Sequence, residues 1–271
     1  MTIPEAPYLP TDRPDVVEST RLAQAGWYPN GQHGGVVSAL LGRAIEAVPT
    51  LEPMDTARLT VELFRIVPVV PLRLTARIVR EGKRIQMVEA SAFDLDGTEL
   101  ARAVGLRLRR ADLDLPEATL TPSLDLPQPD DIAPPDMGHW GIGGDEQILY
   151  HRQAVEVREI DAGFDRLGPG AMWMRVQRPL VAGEPLSQLT RAVVIGDFVN
   201  GLSRLADPRR FVFMNADLTV HLHRMPAGDW VGVEARSRYD PVGRGVATGR
   251  LFDTRGEIGR STQTLFLAPA G

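Results

Sequence analysis

Apolar residues in the first half of the chain recur at the three- and four-residue spacing of a helix with one apolar face. They are Val37, Leu40, Leu41, Ala44, Ile45 and Val48. Gly34 and Gly35 lie at the start of this helix, and Pro49 ends it. Segments of alternating or β-branched residues then predict strands at 57–66, 71–80, 84–95 and 99–109. The pattern indicates one helix followed by an antiparallel meander.

The second half has a similar plan, with two predicted strands ahead of its helix. Those strands cover 151–160 and 171–178. The helix is predicted over 190–206, where one face carries Val194, Phe198, Leu202 and Leu205. Further strands are predicted at 211–224, 229–238, 244–253 and 257–268.

The chain also aligns with itself at an offset of 159 residues. Without a gap, segment 57–108 shares 13 identities over 52 positions with segment 216–267. Asp-x-x-Gly turns fall at matching places, 94–97 and 253–256, which disfavours a chance alignment of two β-rich stretches. An internal repeat of this kind indicates a duplicated module.

The segment between the halves, 111–137, is rich in proline and has no apolar periodicity, as is typical of a linker. We therefore expect a first module over 1–112, a linker over 113–147 and a second module over 148–271. Each module has one predicted helix and no second helix as a partner, so the sheet must wrap around it to bury its apolar face.

Composition narrows the class of protein. The 271 residues are 43% hydrophobic and 24% charged, with a net charge of −5 and no cysteine. This acidity argues against nucleic acid as a partner, and the lack of cysteine excludes disulfides and thiolate chemistry. No apolar run approaches the roughly 18 residues of a membrane span, and the N-terminus carries no basic and apolar leader, so we expect a cytoplasmic protein without membrane insertion.

Several short motifs together resemble a known family. They are His33-Gly34-Gly35, Gly196-Asp197-Phe198, the segment from Asn215 to Arg224, Leu251-Phe252-Asp253 and the segment from Gly259 to Gln263. The chain resembles over nearly its whole length the TesB-like acyl-CoA thioesterases, which carry two hotdog modules. The resemblance implies an α+β, tandem (double) hotdog fold, in which the central helix of each module is wrapped by an antiparallel β-sheet.

The resemblance also implies a catalytic set. In the family, an Asp on the second module's helix, a hydroxyl residue on the next strand and a Gln on the last strand hold the attacking water. These positions fall on Asp197, Asn215 and Gln263, and Asn215 departs from the expected Thr or Ser. The local sequence supports the Asp197 part of this set, because Asp197 lies in an apolar stretch where a carboxylate needs partners. A structural Asp bonded to the backbone or to Asn200 is the alternative.

The repeat gives a second argument for the same residues. At the offset of 159, Gln263 stands opposite Val104, and pairing Gly35 with Gly196 sets Asp197 opposite Val36. The second module therefore holds polar groups where the first holds apolar ones. A surface Gln on an edge strand is the alternative for Gln263.

The start of the first helix is the other candidate for chemistry. Free N–H groups there favour negative charge, so Gly34 and Gly35 can stabilise a thioester oxyanion; a plain tight turn is the alternative. We expect His33, Gly34, Gly35 and Thr219 to contact the substrate; a side chain that simply faces solvent is the alternative for His33.

Other motifs give weaker evidence of a function. His221 and His223 lie two apart on a strand without a third ligand, so we expect no metal. The Gly141 to Gly144 segment follows no βαβ strand, and no Gly-x-Ser-x-Gly elbow occurs, so we expect no cofactor and no α/β-hydrolase chemistry.

The expected function is hydrolysis of acyl-CoA thioesters to fatty acid and CoA, by a homodimer or larger homo-oligomer. A non-catalytic binding module for acyl-CoA or acyl carrier protein stays open. An enoyl-CoA hydratase or dehydratase is disfavoured, because the Asp-x-x-x-x-His spacing of hotdog hydratases is absent.

Overall fold

The computed structural model describes residues 2–117, 124–135 and 147–270. In the first half it places helix α1 (Gly34–Glu46) and strands β1 (Tyr8–Pro10), β2 (Val16–Ser19), β3 (Met54–Leu63), β4 (Leu72–Arg80), β5 (Ile85–Phe93) and β6 (Glu99–Arg109). The second half contains the short helices α2 (Tyr150–Gln153) and α4 (Val199–Leu202) and the longer α3 (Gln188–Gly196). Its strands are β7 (Val155–Asp161), β8 (Gly170–Val176), β9 (Phe211–Asn215), β10 (Asp217–Leu222), β11 (Trp230–Asp240), β12 (Arg244–Asp253) and β13 (Gly256–Pro269).

All these strands form one antiparallel sheet whose order repeats in mirror image. One half reads β1-β2-β4-β5-β6-β3, and the other continues as β10-β13-β12-β11-β8-β7, with β9 also paired to β13. The halves join where β3 pairs with β10, and there Thr60 lies opposite Thr219. Because these two residues are also related by the offset of 159, a local twofold axis passes between them.

The predicted strands are present, with differences in detail. β1 and β2 were not predicted, because runs of three and four residues are too short to show an alternation. They correspond to β7 and β8 and complete the repeat. The helix predicted at 190–206 is broken into α3 and α4, and the strand predicted at 211–224 is divided into β9 and β10 at Ala216.

The linker lies partly on the outside of the second module. Leu124, Leu126 and Ile132 pack against a cluster that contains Trp173 and Phe252, and the Trp173 indole donates to the Pro127 carbonyl at 2.9 Å. Residues 118–123 and 136–146, with the Gly141 to Gly144 motif, lie outside the described residues. The module boundaries stay a prediction.

The two long helices pack on each other as well as on the sheet, which corrects the expectation that neither had a helical partner. A Cβ atom placed on Gly42 of α1 would lie 3.5 Å from Leu189 near the start of α3. One placed on Gly35 would lie 2.9 Å from Cβ of Asp197, at the end of α3. The helices are therefore antiparallel, and small residues let them approach.

The counterpart of Gln263 is Gly105, not Val104. Phe93 pairs with Glu99 across the β5–β6 turn, whereas Phe252 pairs with Glu257, so the second turn is one residue shorter. The gapless offset therefore fails in β13. Burial confirms the shift, because Gly105 and Gln263 both face inward whereas Val104 does not.

The counterpart of Asp197 is Arg43, not Val36. Aligning the first residues of the two helices, Gly34 and Gln188, pairs Gly42 with Gly196 and Arg43 with Asp197. The offset differs here because the loops between helix and strand differ in length in the two modules.

Within the described residues, no helix is long and apolar enough to cross a membrane.

Candidate functional site

Asp197 lies where the second module's helix breaks. It ends α3, and the chain turns tightly before α4 begins at Val199. The antiparallel packing of the helices brings this residue to the N-terminus of α1, and only 7% of it is exposed. A buried carboxylate needs several donors to offset its lost hydration.

The donors come from three separate elements. Oδ1 of Asp197 accepts from Nδ2 of Asn215 at 2.9 Å and from Nε2 of Gln263 at 3.0 Å. Oδ2 accepts from the backbone N–H of Gly35 at 2.6 Å. Asp197, Asn215 and Gln263, which the sequence analysis grouped by resemblance, therefore meet in space.

The start of α1 has a different arrangement from the one expected. Gly35 does not offer its N–H to a ligand, because the Asp197 carboxylate already takes it and supplies the negative charge that the helix end favours. Among the described residues none accepts from the N–H of Gly34, which lines the adjoining cavity. Gly34 is thus the donor left for an oxyanion.

Asn200 connects the amides, and sequence reasoning had placed it only as a direct partner of Asp197. Its Nδ2 donates to Oδ1 of Asn215 at 2.9 Å, and its backbone N–H donates to Oε1 of Gln263 at 3.0 Å. Its own Oδ1 is buried with no partner among the described residues. An unpaired buried acceptor of this kind is a place where a water binds.

His33 lies on the other side of the carboxylate. Its Nδ1 is 3.2 Å from Oδ2 of Asp197, and its ring centroid is 5.0 Å from that of Phe198. Burial lowers the pKa of His33, and the charge of Asp197 partly opposes that shift. The imidazole is therefore neutral at pH 7.

A second histidine, His151 of α2, lies nearby and was not singled out from the sequence. Its ring centroid is 6.4 Å from that of His33, and burial lowers its pKa to about 3. No local motif marks it, because only the fold brings α2 beside α1.

A cavity of about 400 Å³ opens beside these groups. Both modules line it, and its polar lining includes His33, Gly34, Asp197, Asn200 and Asn215. The remaining wall is mostly apolar, with Trp27, Tyr28, Phe64, Phe164, Phe198, Phe211 and Phe213. A concave apolar pocket with a few convergent polar groups is the usual form of a small-molecule site.

Thr219 does not reach this cavity, which corrects its expected contact with substrate. Its hydroxyl donates to that of Thr60 at 3.3 Å, on the seam between the modules. His221 and His223 also lie outside the cavity lining. Within the described residues, no group of three or more His, Cys, Asp or Glu side chains could hold a metal ion.

Two family models match the chain. One, described as an acyl-CoA thioesterase C-terminal domain, matches residues 127–267, and the other, an acyl-CoA thioesterase N-terminal domain, matches residues 24–108. No curated protein matches in sequence.

Solved structures share the whole fold. A hot dog protein of unknown function from Alicyclobacillus acidocaldarius is 19% identical, with a TM-score of 0.72 and 98% of each chain covered. The acyl-CoA thioesterase II TesB2 of Mycobacterium marinum is 14% identical, with a TM-score of 0.66 over 97% of this chain and 96% of its own. A tesB protein of Mycobacterium avium is 15% identical, with a TM-score of 0.65 over 89% and 88%. These similarities confirm the predicted double hotdog fold.

Proposed function

Because the chain belongs to the TesB-like acyl-CoA thioesterase family and is thus a thioester hydrolase, we propose that it cleaves acyl-CoA with a water bound beside Asp197, Asn215 and Gln263. One observation carries the proposal. The buried Asp197 carboxylate, held by two side-chain amides and the N-terminus of α1, faces an apolar cavity large enough for an acyl group.

The groups around the cavity suit direct attack by water. The acyl chain packs against the apolar wall of the cavity, and its thioester carbonyl lies near the N–H of Gly34. As water adds, negative charge develops on the carbonyl oxygen, and a preorganised N–H at a helix start stabilises it. The Asp197 carboxylate drives removal of the water's proton, directly or through a group that it holds.

The amide at position 215 is compatible with this role. Nδ2 of Asn215 carries two hydrogens, and only one of them is used by Asp197. Among the described residues none accepts the second N–H, and the unpaired Oδ1 of Asn200 is a separate acceptor for a water. Asn215 can therefore donate to a water at the place where the family resemblance implies a hydroxyl.

A covalent serine or cysteine intermediate has no support at this site. Among the described residues that line the cavity, none is a serine, a threonine or a cysteine. Water is then the simplest nucleophile, and the reaction needs one addition and one elimination at the acyl carbon.

The test is release of CoA thiol from short-, medium- and long-chain acyl-CoAs, followed with a thiol-reactive chromophore. The protein adds no background because it has no cysteine. We expect turnover on some chain length and loss of nearly all of it in Asp197→Asn. The matched control is Asp96→Asn, since Asp96 is exposed in the β5–β6 turn. Full turnover in Asp197→Asn would contradict the proposed site.

A second function has one observation in its favour. Hotdog hydratases use an Asp and a His, and here Asp197 and His33 approach to 3.2 Å from different modules although the sequence spacing is absent. Adding an enoyl-CoA to the same panel decides between hydratase and thioesterase, because hydration consumes the double bond without releasing thiol.

Binding of acyl-CoA without either product would indicate the non-catalytic binding module. The homo-oligomer stays a prediction, which light scattering of the purified chain checks.

A further inference from the structure

We propose that the imidazole of His33 is the catalytic base, that its Nε2 takes the proton from the attacking water, and that Asp197 acts by holding His33 in place. This assignment rests on the proposed thioesterase function. It divides between two residues a task that Asp197 alone would otherwise perform.

Protein groups already occupy both carboxylate oxygens of Asp197. Oδ1 already accepts from Asn215 and Gln263, and Oδ2 accepts from Gly35 and contacts His33. A carboxylate offers about four acceptor positions; three accept from protein donors, and His33 lies at the fourth. Little capacity remains for Asp197 to bind a water and remove its proton.

The tautomer of His33 follows from the groups around Nδ1. The N–H of Gly35 lies 2.6 Å from Oδ2 of Asp197 and 3.2 Å from Nδ1 of His33, so it donates mainly to the carboxylate. A bare Nδ1 only 3.2 Å from a carboxylate oxygen would repel it, whereas a protonated Nδ1 donates to it. The Nδ1–H form is therefore favoured, and it leaves the lone pair on Nε2.

The cavity lies next to the His33 imidazole. Among the described residues none hydrogen-bonds Nε2 of His33, and His33 is part of the cavity wall. Gly34, whose N–H is the oxyanion donor, is its neighbour in the chain. A base and an oxyanion donor thus lie side by side, which is the arrangement of an Asp-oriented histidine in acyl transfer.

The surroundings keep this imidazole neutral before reaction. The ionisable groups that face it are Asp197 at the end of α3, Tyr150 and His151 on α2, and Arg204 across the cavity. His151 is itself held neutral, so Asp197 is the charge in direct contact with His33. It stabilises the imidazolium once a proton has moved.

The reaction then balances without any other reactant. Nε2 takes one proton from water, the water oxygen bonds to the acyl carbon, and the C=O pair moves to the oxygen held by Gly34. The oxyanion reforms the carbonyl as the C–S bond breaks, and the sulfur leaves with the bonding pair. It takes the proton back from Nε2, which gives the carboxylic acid and CoA thiol.

The decisive variant is His33→Asn. Its amide nitrogen can occupy the place of Nδ1 and donate to Asp197, and Asn is tolerated well at the N-cap position that His33 holds. It has no basic nitrogen in place of Nε2. We expect kcat to fall by about 10² to 10⁴-fold with little change in KM, and the acid limb of the pH profile of kcat/KM to disappear. A circular dichroism melt checks that the variant folds.

Two further variants make the result unambiguous. His221→Asn, on the exposed face of β10, removes a histidine far from the cavity and should retain full activity. His33→Ala should regain activity when imidazole is added. A folded His33→Asn with wild-type kcat and an unchanged acid limb would overturn the assignment. A wild-type protein that releases no thiol from any acyl-CoA would instead overturn the proposed function.

Discussion

At the N-terminus of α1, Gly35 leaves no room for a side chain. A Cβ there would lie 2.9 Å from Cβ of Asp197 and 3.0 Å from the Val194 carbonyl oxygen, neither of which is the end of a flexible chain. On the same helix, a Cβ at Gly42 would make ordinary contacts at 3.5 Å. The two glycines therefore give a matched pair of substitutions.

We predict opposite effects for the two alanine variants. Gly35→Ala should lower the free energy of unfolding by about 1–3 kcal/mol through overpacking, and it should reduce thioesterase activity because it displaces Asp197. Gly42→Ala should be neutral or stabilising, by up to about 1 kcal/mol, because alanine is the better helix former. Urea unfolding and thiol release measure both. Equal stability of the two variants would show that the helices adjust more freely than this packing implies.

The surroundings of the site residues could be predicted from the sequence only in part. The apolar neighbours of Asp197 indicate a carboxylate that needs partners, and the structure shows it buried with three hydrogen-bond donors. The match of Gln263 to Val104 was wrong, because a turn one residue shorter moves every later position to the other face of the strand. A gapless alignment cannot register that change. Nor could it show that His33 and Asp197 meet, since 164 residues separate them and only tertiary packing joins them.

At the scale of elements, the two helices present equivalent ends with different chemistry. Where α1 begins, the facing helix supplies Asp197. Where α3 begins, the facing helix supplies Arg43, which is bound by Glu184 at 2.5 and 2.6 Å. Duplication thus gives the fold two equivalent helix N-termini. Of these, only the N-terminus of α1 faces the described cavity, with the Asp197 carboxylate and the N–H of Gly34.

A half-buried acid, Glu46, lies beside the start of α3. Ser187 caps α3 and donates to Glu46 at 2.6 Å, and burial raises the pKa of Glu46. A raised pKa in the folded state means that Glu46 favours folding while it is protonated, and that this advantage is lost as the pH rises through its folded pKa. Glu46→Gln should therefore melt higher than the wild type at neutral pH. The difference should vanish below the ordinary pKa of glutamate.

Melting temperatures at a series of pH values test this expectation. Glu18→Gln serves as the control, because Glu18 is exposed on β2 and should give curves parallel to the wild type. A Glu46→Gln variant that is less stable than the wild type at neutral pH would show that the charged form is the one the fold needs.

Element types were predictable where the pattern was long. The helix and the strands that follow it in each module appear within a few residues of their predicted ends. The break between α3 and α4 was not predicted, since the apolar face continues through it. Asp197 lies at that break, so a feature at the centre of the site is one that periodicity conceals.

At the scale of the whole molecule, neither module holds the site alone. Asp197, Asn215 and Gln263 come from the second module, whereas His33, Gly34 and the Gly35 N–H come from the first. The duplication was evident from the sequence, and it explains the continuous sheet through β3 and β10. The sequence could not show which ends of the two modules meet, because that depends on the antiparallel packing of α1 on α3.

The continuous sheet and the packed helices predict that the two modules unfold together. Leu189 tests this, because it is buried on α3 and lies against Gly42 of α1, across the boundary between modules. Leu189→Ala should lower the free energy of unfolding by about 2–5 kcal/mol while the protein still melts in one transition. The control is Leu167→Ala, since Leu167 is 55% exposed and should change little. Calorimetry distinguishes the outcomes. If Leu189→Ala melts in two steps, the modules hold together mainly through the β3–β10 seam, and each has a core that survives without the other.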